Sequence, residues 1–166
     1  PENVGAGAGR LSIIHGGLNV SGEYAHKIND PSITNGFIYK GGDAALVNAS
    51  WSQKGFGFSL SAKRIDNMSF RSDRTATLNS LIINYLPAMT KNHTYILATL
   101  YPYATQPNGE FGYQAETFFR IKPGAFLGGK YGADVVINYS KAQSIDRKAT
   151  GDDYGYTTTI TEWPEA

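Results

Sequence analysis

Between Ala44 and Arg64 the chain alternates apolar and polar residues, with one interruption at Lys54-Gly55. One face reads Ala45, Val47, Ala49, Trp51, then Phe56, Phe58, Leu60 and Ala62. The other reads Leu46, Asn48, Ser50, Ser52, then Gly57, Ser59, Ser61 and Lys63. Successive side chains of a strand point to opposite faces, so a sustained period of two predicts a β-hairpin, apolar on one side and polar on the other. What such a chain folds into then depends on what the apolar side meets: a packed core or lipid.

The alternation recurs along the chain. Strands are predicted over Arg10–His15 and over Leu18–Ala25, where Leu18, Val20 and Tyr24 share a face. Ala76–Leu86 follows, with Leu81, Ile83 and Tyr85 together, and then Thr94–Tyr103, with Tyr95, Leu97 and Tyr101 together. Glu110–Ile121 alternates almost without error, placing Phe111, Tyr113, Ala115, Thr117 and Phe119 on one side. Ala125–Ser140 brings Leu127, Tyr131, Val135, Ile137 and Tyr139 together, and Tyr154–Trp163 is a last strand. Residues 1–9, PENVGAGAG, read as a flexible lead. No segment shows a helical period. The expected fold is therefore all-β, an antiparallel up-and-down barrel of 8 or 9 strands or a partial segment of one, in a single domain over residues 1–166. Short turns alternate with longer connections, as at the two rims of an outer-membrane barrel; a β-sandwich has no reason to sort its loops this way.

Composition narrows the function classes. The net charge of +1 gives no electrostatic footprint for nucleic acid. Cysteine is absent, which removes disulfides, thiolate metal sites and cysteine nucleophiles. No apolar run reaches the roughly 18 residues of a transmembrane helix. A transmembrane barrel needs none, so a mean hydropathy of -0.32 leaves the membrane open.

The aromatic positions favour lipid. Tyr95 and Tyr101 stand at opposite ends of one strand, and Phe111, Tyr113 and Phe119 at the ends of another. Trp51, Phe56 and Phe58 gather beside the Lys54-Gly55 turn, and Tyr85 and Tyr139 extend the set. Rings at both ends of an apolar face match two membrane interfaces, whereas a soluble core places its large rings in the middle. Lys63, Glu116, Arg120, Lys130 and Asp134 share the opposite, polar face and are candidates for lining a lumen. Pairing Ile121 with Ala125 sets Glu116 across from Lys130, an ion pair worth about 0.2–1 kcal/mol.

Sites of covalent chemistry are weak. Gly124–Tyr131 approaches the phosphate-binding loop, but Tyr131 replaces the magnesium-binding hydroxyl and no helix follows. His15, His26 and His93 have no ligand spacing, and Asp152-Asp153 alone make a poor calcium site. The expectation is no metal, no cofactor and no catalytic residue. The best specificity element is the loop DNMSFRSDR, where Asp66, Arg71, Asp73 and Arg74 surround Met68 and Phe70. Such a mix suits a loop that constricts a lumen or docks a partner.

The runs EYAHKINDPS, SWSQKG, SAKRIDNMSFRSDR, NYLPAMTKNHTY, LYPYATQPNGE and GGKYGADV, within Leu18–Ser140, resemble an uncharacterised outer-membrane β-barrel family of Bacteroidota. The resemblance implies a barrel in the outer membrane and brings no activity and no catalytic residues. Members of that family are longer, and this chain starts at Pro1-Glu2 without a signal peptide, so it is expected to be part of a larger barrel. The expected role is a passive channel or a structural component of the cell envelope. Its expected partners are outer-membrane lipid and other envelope proteins; the solute is undefined. A soluble β-sheet domain binding a ligand or glycan is one alternative, and a barrel hydrolase a second.

Overall fold

A computed structural model describes residues 3–77, 80–89, 104–149 and 156–159. Six strands form one antiparallel sheet in the order β1-β2-β3-β4-β5-β6: β1 Ala6–His15, β2 Leu18–Lys27, β3 Gly42–Gln53, β4 Phe56–Asp66, β5 Gly109–Ile121 and β6 Ala133–Gln143. Every neighbour in space is the next strand in sequence, so the sheet is an up-and-down meander. β7 (Asp146–Ala149) and β8 (Tyr156–Thr159) form a separate two-stranded ribbon. A 3-10 turn, Ile33–Asn35, lies between β2 and β3. The sheet is open: β1 and β6 are its edges and do not pair with each other.

The hairpin forms as the alternation demands. Trp51 pairs with Phe58, Ala49 with Leu60 and Val47 with Ala62, while Asn48 pairs with Ser61 and Ser50 with Ser59. Gly55, at φ 84, supplies the left-handed residue of the turn. The register carries both faces across all six strands. One complete apolar row runs Ile13, Val20, Ala49, Leu60, Ala115, Tyr139.

Several expectations are corrected. β1 begins at Ala6, inside the glycine-rich lead expected to be flexible. Residues 80–89 form no strand, despite the alternation of Leu81, Ile83 and Tyr85. Leu81 sits at φ 56, and one isolated bridge joins Arg71 to Ile82. β6 starts at Ala133 and Ile121 pairs with Ala133, so residues 122–132 turn the chain. Gly124, Gly129 and Gly132 lie at φ 81, 53 and 83, a backbone that a strand does not accommodate. Glu116 therefore faces Asn138, and Lys130 belongs to the turn. The expected strand over Thr94–Tyr103, with Tyr95 and Tyr101, lies outside the described residues, as do Asp152 and Asp153.

The core is inverted. Among the described residues the buried hydrophobic side chains are Ile65, Met68 and Met89. The buried polar and charged set is larger and includes Lys27, Asp30, Lys63, Asp66, Asn67 and Glu110. Leu11, Ile13, Val47, Trp51, Phe58, Leu60, Ile137 and Tyr139, all on the apolar face, are exposed.

Candidate functional site

The buried polar groups gather at one end of the sheet, where the longer connections emerge. Short turns at Gly16-Gly17 and Lys54-Gly55 mark the other end. At the loop end, segments from the β2–β3 and β4–β5 connections fold over the polar face. Asn67 turns the chain directly after β4, at φ 50, a conformation that Asn tolerates better than most residues. Its own backbone N–H donates to Asn108 O, and that of Met68 donates to Pro107 O.

Two buried lysines anchor this layer to the sheet. Lys27, fully buried at the end of β2, donates from Nζ to Ser69 O at 2.6 Å and lies 3.4 Å from Asp30 Oδ2. Its Nζ is also 6.0 Å from the centre of the Phe70 ring. Asp30 in turn lies 3.5 Å from Arg74 Nε. Lys63, on the polar face of β4, donates to Pro87 O and to Thr105 Oγ1, each at 2.6 Å. It also stands 2.8 Å from Glu110 Oε1, a separation that makes an ion pair although the angle is not that of a hydrogen bond. Gln106 N donates to the other Glu110 oxygen at 2.9 Å.

Amides tie these two anchors together. Asn35 donates to Asp30 O at 2.9 Å and to Asn67 Oδ1 at 3.0 Å, and accepts from Ser32 N at 2.9 Å. Asn67 Nδ2 donates to Lys40 O at 2.8 Å, and Lys40 Nζ reaches Asp66 at 2.7 Å. Asn84 Nδ2 donates to Met68 O at 2.7 Å. Burying charge is costly unless it is paired and hydrogen-bonded, and here several segments supply the partners. The layer is thereby fixed in one position over the strands. Between it and the sheet lies a cavity of about 630 Å³, lined by Ala8, Ala25, Ala44 and Leu46 of the sheet and by Met68, Phe70, Ile83 and Leu86 of the layer.

The residues of the loop DNMSFRSDR, expected to confer specificity, divide between these roles. Asp66 is buried against Lys40, and Phe70 lines the cavity. Arg71 Nη1 donates to Ser80 O at 2.9 Å, and Arg74 pairs with Asp30. Asp73 remains exposed; the backbone N–H and then the hydroxyl of Thr75 donate to it and hold its carboxyl below the usual range.

Of the lumen-facing candidates, Lys63, Glu116, Arg120 and Asp134 share the polar face by register. Lys63 is buried, while Arg120 and Asp134 form a two-bond pair at 2.8 and 3.2 Å near the turn end. Lys130 is not among them; it is exposed and lies 5.5 Å from the Tyr131 ring.

Two clusters hold most of the described aromatic candidates. Trp51 and Phe56 rings are 5.8 Å apart at the turn end, where Phe56 also pairs with Phe119 and Phe58 lies exposed. Phe111 and Tyr113 are 6.2 Å apart toward the loop end, with Tyr139 6.0 Å from Tyr113. Tyr85 departs from the pattern: it lines the cavity in the layer over the polar face and is 85% exposed. At the loop rim the apolar face turns polar, where the Tyr24 hydroxyl and His26 Nδ1 both meet Asp43 Oδ1.

Lys27, Asp30, Asn35, Asn67 and Glu110 were not singled out from sequence. Parity offers a signal for two of them. Lys27 continues the polar series of Glu23, and Glu110 that of Gln114, one strand step beyond the predicted interior. Among the described residues no three His, Asp or Glu side chains gather as metal ligands.

Over residues 1–166 the chain matches the model of a family of unknown function, DUF6029, and belongs to that family. No curated protein and no solved structure shows significant similarity to it.

Proposed function

We propose that this family member forms part of the wall of an outer-membrane β-barrel, with the layer over its polar face as an internal constriction. The observation that carries the reading is the inverted burial: apolar strand residues face out and are exposed, while charged residues are buried beneath the layer. Water penalises such a surface, and lipid favours it.

The aromatic spacing supports the same reading. From Phe111 to Phe119 is eight residues, about 27 Å along a strand at ~3.4 Å per residue. A tilt of 35–45° projects this to about 20 Å, near the ~25 Å apolar band of such barrels. Lipid does not tolerate the unpaired edges of β1 and β6, so further strands or a partner chain close the wall. The resemblance to an outer-membrane family adds to the reading. The role is passage or scaffolding, selected by lumen shape and charge, with no covalent step.

Membrane fractionation together with gel migration before and after heating tests it. A detergent-extracted chain whose migration shifts on heating supports the barrel. A monomer that stays soluble without detergent contradicts it.

A further inference from the structure

The register places two adjacent rows of small polar side chains across the middle of the polar face. One row crosses all six strands as Ser12, Ser21, Asn48, Ser61, Gln114 and Ser140. The next runs Asn19, Ser50, Ser59, Glu116 and Asn138 over five strands and ends on β1 at the apolar Ile14. At ~4.8 Å between strands, six columns span about 24 Å, and the rows stand about 7 Å apart. Glu116 is the single charged residue in the belt, and Asn138 donates to it at 3.4 Å. The flanking charges neutralise each other: Arg10 pairs with Glu23 at 2.6 Å on the loop side and Arg120 with Asp134 on the turn side.

Two features distinguish this belt from a merely wettable surface. Asn48, Gln114, Asn19 and the serines at 12, 21, 50, 59 and 61 make no side-chain hydrogen bond among the described residues. Among the described residues nothing engages their donors and acceptors, which leaves them to a solute. Beside the belt, one strand step toward the turns, lies Phe118, 38% exposed, between Glu116 and Arg120 along β5 and beside the exposed Val136 of β6. Its ring lies over Gly57, where an added Cβ would come within 2.5 Å of Phe118 Cε1. The glycine leaves room for the ring to lie across the neighbouring strand and present an apolar surface.

We infer that this belt binds a neutral, hydroxyl-rich solute, an oligosaccharide, with Phe118 as the apolar platform. A sugar ring offers hydroxyls at its edge and C–H groups on its face, which match amides and hydroxyls beside one aromatic. An anionic or cationic solute gains little here, because the surrounding charges are internally paired. The inference deepens the barrel reading, in which the belt lines the lumen, and rests on it for that placement alone.

The test is calorimetric titration of the full chain, folded in an amine-oxide detergent that carries no sugar, with maltohexaose, cellohexaose and xylohexaose. Saturable binding of at least one is expected. Phe118→Ala and Asn48→Leu each weaken it at least five-fold, while Val47→Ala on the opposite face leaves it unchanged. Phe118→Leu replaces the alanine variant if circular dichroism shows that variant unfolded. The inference is overturned if none of the three sugars saturates, if hexaglutamate binds equally well, or if the Phe118 and Asn48 variants bind like the parent. Insertion into vesicles is scored separately. Sugar binding without insertion sinks the membrane reading and keeps the belt; insertion without sugar binding does the reverse.

Discussion

The two faces of one sheet obey opposite rules. On one face Leu11, Val47 and Leu60 are exposed, with no layer over them among the described residues; on the other Lys27, Lys63 and Glu110 are buried under one. In a water-soluble sheet the assignment is reversed, with apolar residues covered and charges solvated. The difference shows that the layer packs by polar satisfaction; in the proposed barrel the uncovered face meets lipid.

The largest expected effect comes from the covered face. Lys63→Met leaves Glu110 buried without its cation and should cost about 3–5 kcal/mol in denaturant unfolding. The double variant Lys63→Met/Glu110→Leu should recover most of that loss. Equal loss in both would mean that the pair matters for shape and not for charge.

Next comes the uncovered face. Leu60→Arg, in the middle of the apolar row, should cost about 2–4 kcal/mol when folding is measured into bilayers. If the sheet instead works in water, an exposed Leu60 should tolerate arginine within about 0.5 kcal/mol. The same measurement on Ser50→Arg, on the polar face, should show a smaller loss in bilayers.

A smaller effect is expected where the layer joins β4. Asn67→Ala loses the bonds to Asn35 and Lys40 O and forces alanine to φ 50, so a cost of about 2 kcal/mol is expected. Asn67→Gly, free of the backbone penalty, should lose about half of that. The smallest effect belongs to Arg120→Ala: its pair with Asp134 is exposed and screened by solvent, so the thermal unfolding midpoint should match the parent's within error.

What the sequence reveals follows the reach of each signal. The hairpin around Lys54-Gly55 is legible because period two is local and both of its strands obey it. The same pattern misleads at Leu81, Ile83 and Tyr85, where tertiary contacts decide: Asn84 bonds Met68 O and Ile83 N bonds Phe70 O, which pins the segment to the layer. At residues 122–132 the alternation continues past Pro123 by chance of composition, and the glycines at positive φ set the true register eight residues later. The buried network stays hidden because its partners are far apart in sequence; Lys27 and Ser69, or Asn35 and Asn67, meet only once the strands have paired. The loop DNMSFRSDR stands out in the sequence for its charges, yet the contacts of Asn67 and Ser69 anchor it in the fold.

The most direct test of which face meets lipid uses the absence of native cysteine. Single cysteines introduced in turn from position 57 to 62 on β4 carry a nitroxide, and the chain is reconstituted in bilayers. Collision rates with oxygen, which concentrates in lipid, are then compared with those of a water-soluble nickel chelate. Alternation is expected: labels at 58, 60 and 62 favour oxygen, and labels at 57, 59 and 61 favour nickel. Uniform nickel access along the strand would contradict it.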